Sequence, residues 1–135
     1  MLPLTQPGAT QALKVLVVDD NKAAAEVLAA ALDVLGHAPR VAFDGQAALD
    51  ALAGFEPDLV ILDIGLPGMD GFEVARAIRA RPQTATVHIV ALSGWGRPED
   101  RRLAIEAGFD RHYAKPIGLD ELEVILRESR APTGR

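Results

Sequence analysis

Val15-Leu16-Val17-Val18 ends in Asp19-Asp20, and Leu59-Val60-Ile61-Leu62 ends in Asp63. Two short apolar runs without polar alternation, each closed by acid, read as central strands of a sheet covered on both faces. Val87-His88-Ile89-Val90-Ala91-Leu92 is a third such strand. Pro39-Arg40-Val41-Ala42 and Arg111-His112-Tyr113-Ala114 carry polar residues and belong nearer an edge or a functional surface. Helical patterns separate these five segments, as parallel strands require crossovers between them.

Ala24, Val27, Leu28, Ala31, Leu32 and Leu35 share one stripe of a first helix, and Gly36 closes it. A weaker helix is expected from about Asp44 to Gly54. Asp70 and Glu73 form a capping pair that opens a third, with Val74, Ala75 and Ile78 inward and Pro82 just past its end. Pro98 suits a first helical position, Glu99 and Asp100 suit the positive end of the macrodipole, and Gly108 suits the stop. A last helix carries Leu119, Leu122, Ile125 and Leu126. The expected architecture is (βα)₅, a doubly wound five-stranded parallel sheet with right-handed crossovers. Residues 14–130 form the domain, 1–13 an N-terminal tail and 131–135 a C-terminal tail, both flexible.

The 135 residues suit one domain, and 49% apolar with 24% charged residues are ordinary globular values. A net charge of −5 is the wrong sign for neutralising nucleic-acid phosphates. Without cysteine there is no disulfide framework or thiolate site, which suits a reducing cytoplasm. Apolar runs of four to six residues are far too short to span a bilayer, and the first 14 residues do not read as a secretory signal.

Ligands of an open α/β sheet bind beyond the carboxyl ends of its strands. There stand Asp19 and Asp20 after strand one, Asp63 after strand three, Ser93 and Gly94 after strand four, and Lys115 with Pro116 after strand five. Singly, each has an ordinary explanation: helix caps for the paired aspartates and the serine, a turn residue for Asp63, a solvated charge for Lys115. Together they converge on one rim. Two carboxylates 4 Å apart repel by about 4 kcal/mol at an effective dielectric of about 20, so three of them imply a cation. All-oxygen ligands point to Mg²⁺ or Mn²⁺. Such an ion with Lys115 balances a phosphate, Ser93 offers a hydroxyl, and Gly94 leaves room beside it. Asp63, at mid-sheet with partners on both sides, is the aspartate best placed to attack phosphorus and form an acyl phosphate.

Val-Val-Asp19-Asp20-Asn21, Leu-Asp63-Ile-Gly-Leu-Pro67-Gly-Met-Asp70-Gly71, Ala-Leu-Ser93-Gly94 and Ala-Lys115-Pro116 resemble the receiver domain of two-component response regulators. The resemblance covers about residues 14–130, with separations of 43, 30 and 22 residues between positions 20, 63, 93 and 115. It implies a flavodoxin-like fold and a phosphoacceptor Asp63 that takes its group from the phosphohistidine of a sensor histidine kinase or histidine phosphotransfer domain. It implies that Asp20 ligates Mg²⁺ directly, Asp19 largely through water, and Gly65 through its main-chain carbonyl. Ser93 is then the hydroxyl that moves onto the phosphoryl oxygen, and Lys115 its ion-pair partner before a cis peptide to Pro116. The implied product is a signal: the receiver assists its own phosphorylation and dephosphorylation, and remodels the surface of its fourth helix, fifth strand and fifth helix for a downstream protein. A cytoplasmic monomer or weak dimer is expected, with no direct nucleic-acid or membrane role.

Three features are particular to this chain. His112 stands where the family usually carries Tyr or Phe, and Tyr113 after it points to the opposite face. His112 is either a tolerated strand residue or the switch residue, sensitive to pH near 6.5. Gly65 and Trp95 should flank the route of the hydrolytic water. Ser93-Gly94-Trp95-Gly96 and the Arg-Pro-Glu-Asp-Arg-Arg run look like receivers attached to hybrid sensor kinases, so the chain is a stand-alone receiver or a piece of a longer protein. Competing readings are a flavodoxin-like cofactor binder, whose phosphate Asp19 and Asp20 would repel, and an aspartyl phosphatase, which normally has a second acid where Gly65 stands. A degenerate receiver used only for protein contacts is the third.

Overall fold

The computed structural model describes residues 12–94 and 98–130. In chain order the elements are β1 (Lys14–Val18), α1 (Lys22–Val34), β2 (Ala38–Ala42), α2 (Gly45–Phe55), β3 (Leu59–Asp63), α3 (Gly71–Ala80), a 3₁₀ turn (Pro82–Thr84), β4 (His88–Ser93), α4 (Pro98–Ala107), β5 (Arg111–Ala114) and α5 (Leu119–Arg130). The strands form one parallel sheet in the order β2-β1-β3-β4-β5. The two polar strands lie at its edges, and the apolar runs of β1, β3 and β4 are almost wholly buried.

Strand periodicity divides the core. Leu16, Val18, Val60, Leu62, Ile89 and Ala91 face α2, α3 and α4, while Val15, Val17, Leu59, Ile61, Val90 and Leu92 face α1 and α5. Burial of a leucine, isoleucine or valine side chain contributes about 1.5–3 kcal/mol, so these twelve residues are a large part of the driving force for folding.

Local chemistry sets the helix ends. Asp70 accepts from Glu73 N–H while the Glu73 carboxylate accepts from Asp70 N–H, the expected capping box. Gly36, at φ +93°, donates to Asp33 while His37 donates to Leu32, a Schellman ending that needs the left-handed conformation glycine adopts easily. Gly108 closes α4 in the same way.

Two expectations need correction. The face that α1 buries centres on Ala25 and Leu32, whereas Val27 is 71% exposed and Leu35 also reaches solvent. The helix is so rich in alanine that apolar residues occupy most of its circumference, and spacing alone does not single out the inward stripe. Leu13, placed in the tail by its sequence, is buried: its N–H donates to His37 Nδ1 and its carbonyl accepts from Ala38. No helix among the described residues is long and apolar enough to cross a membrane.

Candidate functional site

Asp19 and Asp20 follow β1, Asp63 ends β3, and Lys115 follows β5, all at the carboxyl edge of the sheet. Asp19 and Asp63 are buried and Asp20 is exposed; one carboxylate oxygen from each lies within 4.8 Å of the other two. Lys115 Nζ reaches in from the side, 2.9 Å from Asp19 Oδ2 and 3.1 Å from Asp63 Oδ2. Main-chain donors hold the other oxygens: Asn21 N–H to Asp19 Oδ1 at 2.9 Å, and Gly65 N–H to Asp63 Oδ1 at 2.8 Å. The side chain capping α1 is Asn21, which accepts from Ala24. The aspartates are therefore not explained as helix caps.

Electrostatics here is unbalanced in one direction. Burial raises the Asp63 carboxyl above its ordinary range; Gly65 N–H and Lys115 oppose the shift, and the charge of Asp19 adds to it. Burial pulls the other way on Lys115, but hydrogen bonds and charge from Asp19 and Asp63 outweigh it and hold the ammonium above its usual range. One ammonium among three carboxylates leaves room for two more positive charges. The donor set is all oxygen, the ligand chemistry of a hard divalent ion, and three carboxylates meet at one point of the rim. The residues therefore fit Mg²⁺ or Mn²⁺.

Ser93 ends β4 and is buried; its Oγ lies 2.9 Å from His112 Nε2, and its carbonyl accepts from Lys115 N–H. The peptide between Lys115 and Pro116 is cis. At Gly65 a Cβ would stand 3.5 Å from Asp63 Oδ1, whereas a Cβ at Gly94 would meet nothing within 4 Å among the described residues. Packing at rest thus does not demand glycine at position 94. Trp95, expected to flank the water route, lies outside the described residues.

Gly71 is a site residue that sequence reasoning did not single out. A Cβ there would stand 2.4 Å from Ile64 Cα and 2.6 Å from the Asp63 carbonyl oxygen, so α3 begins pressed against the backbone of Asp63 and Ile64. A glycine directly after a capping aspartate was the available signal. Beside the site an apolar groove of about 510 Å³ runs between α1 and the segment after β5, lined by Ala24, Val27, Leu28, Ile117, Leu119 and Leu122 among others. The exposed Val27 belongs to its wall.

Residues 15–127 match the model of the response regulator receiver domain. The chain belongs to that family. Among curated relatives it is 38% identical over 120 residues to the transcriptional regulatory protein TcrA of Mycobacterium tuberculosis, covering 89% of this chain and 47% of that protein. It is 35% identical over 121 residues to a gliding motility regulatory protein of Myxococcus xanthus, covering 89% of this chain and 16% of that one. The receiver chain thus spans about half or less of these relatives. A putative response regulator from Chloroflexus aurantiacus superposes with a TM-score of 0.85 at 32% identity, covering 90% of this chain and all of that one. The receiver domain of the sensor histidine kinase PA1611 from Pseudomonas aeruginosa, described with magnesium coordinated in its active-site cleft, superposes with a TM-score of 0.81 at 31% identity, covering 89% and 98%. This is a receiver domain of two-component signalling, a family whose general role is phosphoacceptance from histidine kinases or phosphotransfer partners.

Proposed function

We propose that Asp63 of this receiver accepts a phosphoryl group from a phosphohistidine on a sensor histidine kinase or a histidine phosphotransfer domain. An Asp63 carboxylate oxygen attacks phosphorus in line, the P–N bond to the donor imidazole breaks, and that imidazole regains its proton from solvent. Hydrolysis reverses the modification when water displaces the carboxylate at phosphorus, releasing inorganic phosphate. A magnesium or manganese ion held by Asp19, Asp20, Asp63 and the main-chain carbonyl of Gly65 would supply the charge neutralisation that lets two anions meet.

The chain's own residues do the rest. Gly65 N–H and Lys115 orient the Asp63 carboxylate, and Lys115 offsets charge on the incoming group. Ser93 donates its hydroxyl to a phosphoryl oxygen, and its displacement shifts the loop after β4 and the α4–β5–α5 surface. Gly65 leaves one side of the group open to water. The apolar groove along α1 adjoins Asp19 and Lys115, and the donor protein's apolar residues cover it while its phosphohistidine reaches Asp63. The output is protein recognition in the cytoplasm by a monomer or weak dimer, in a stand-alone receiver or a hybrid sensor kinase.

The observation that carries this reading is Asp63 itself, a buried carboxylate held at both oxygens and flanked by two further acids and a lysine. Mass spectrometry after incubation with a small phosphodonor and Mg²⁺ tests it. The wild type should gain one phosphoryl group, and none when the ion is chelated beforehand, and Asp63→Asn should gain none; equal labelling of both proteins would refute the assignment.

A further inference from the structure

Ser93 and His112 form a pair that the sheet register creates. Ala91 stands beside His112 and Ser93 beside Ala114, so Ser93 and His112 are diagonal neighbours projecting from one face, while Tyr113 packs into the core on the other. Their polar atoms meet at 2.9 Å. The second ring nitrogen, Nδ1, is buried and has no hydrogen-bond partner among the described residues. Arg101 and Asp100 of α4 are the charged side chains acting on the ring.

A serine hydroxyl has one proton to donate, and a neutral imidazole carries a hydrogen on only one nitrogen. When Nε2 is bare, it takes the Ser93 proton, and the hydroxyl has none left for another acceptor. When Nε2 carries a hydrogen, it donates to Ser93 Oγ, and the serine proton can turn to an acceptor other than the ring. The bond persists in both cases with its direction reversed.

Resting on the phosphoacceptor reading above, we propose that His112 is a positioning residue: the proton on its ring decides whether Ser93 can donate to a phosphoryl group on Asp63. One neutral tautomer also carries the Nε2 hydrogen, but the added negative charge of the modified receiver favours the cation, so that receiver takes up a proton at His112 that the resting receiver lacks. Burial holds the resting ring below the ordinary histidine range, with Arg101 reinforcing this and Asp100 opposing it. A phosphoryl group brings roughly two negative charges, and a chain from its oxygen through Ser93 to the ring strengthens when the ring is a cation. Coupling of this kind is reciprocal, so acid favours the switched state by the factor with which modification favours protonation. Phenylalanine or tyrosine at this position would not titrate between pH 5 and 8.

The test is an NMR titration of the His112 ring nitrogens in the wild-type protein from pH 5 to 8, with Mg²⁺, in the presence and absence of beryllium fluoride as a phosphoryl mimic. Binding of the mimic is read separately from its fluorine signal. The expected result is a midpoint below that of free histidine at rest and a rise of about one unit with the mimic bound, equivalent to a tenfold shift of the switch by linkage. The rise should shrink in Ser93→Ala. Bound fluoride with an unmoved midpoint, or an undiminished rise in Ser93→Ala, would overturn the proposal while leaving phosphoacceptance standing. Absence of a bound fluoride signal would overturn the phosphoacceptor reading and this one together.

Discussion

Lys115 Nζ bridges Asp19 and Asp63 at 2.9 and 3.1 Å, although β5, which delivers it, is separated from β3 by β4 and from β1 by both. The ammonium occupies the same electrostatic well that a divalent cation would enter. Lys115→Ala should therefore tighten Mg²⁺ binding even as it slows phosphoryl acceptance. A close ion pair contributes a few kcal/mol at an effective dielectric of about 20, discounted because the lysine side chain is 28% exposed. About tenfold in affinity, or roughly 1.4 kcal/mol, is expected by calorimetric titration. Weaker Mg²⁺ binding in the variant would contradict the competition.

Asp63 is ionised at some cost to folding. Its folded-state pKa is raised, so the unfolded chain gives up this proton first as pH rises, and the group disfavours the native state at neutral pH. Asp63→Asn should melt at higher temperature than the wild type in metal-free buffer. Mg²⁺ should then close the gap, adding about 2.7 kcal/mol to the wild type at 100 times its dissociation constant and less to the variant. Identical ion-induced shifts in both proteins would remove Asp63 from the ligand set.

Gly71→Ala places a methyl group 2.4 Å from Ile64 Cα, against backbone that has no rotamer with which to yield. Overpacking of this kind costs about 1–3 kcal/mol, and α3 must back away from Asp63. Urea denaturation should show the loss of stability, and phosphorylation from a small donor should slow in parallel. A variant as stable as the wild type would mean that α3 is not tightly seated.

His37 is buried, and its Nδ1 accepts from Leu13 N–H, which requires that nitrogen to be bare. Burial first, and Arg130 second, lower its pKa in the folded state. The unfolded chain thus binds the proton more readily: the neutral ring's contribution is complete above about pH 6.5 and is lost as pH falls through the lower folded value. Denaturation midpoints should drop more between pH 7.5 and 5.5 for the wild type than for His37→Asn, whose amide oxygen can accept the same N–H without titrating. Equal slopes would assign the acid sensitivity elsewhere.

The strands, their edge or central placement and the rim of acids, serine and lysine were legible because each rests on local pattern plus one topological rule. Asp70 and Glu73 were legible as a capping box for the same reason: both partners lie within four residues. The inward face of α1 was not, since Ala24 and Val27, both exposed, have the same helical spacing and polarity as Leu28 and Ala31, which pack against the core. Gly71 escaped because its constraint comes from Ile64 and Asp63, across a loop whose path the sequence does not specify. The Ser93–His112 bond depends on strand register, which decides neighbours one residue at a time.

The order of the sheet also bears on quality control of the signal. The acids arrive early in the chain, on β1 and β3, but their ammonium arrives only with the last strand, at the far edge. A chain cut before residue 111 lacks the ammonium that balances these acids. Charge balance at the acidic cluster is thus complete only once β5 has docked at the edge of the sheet.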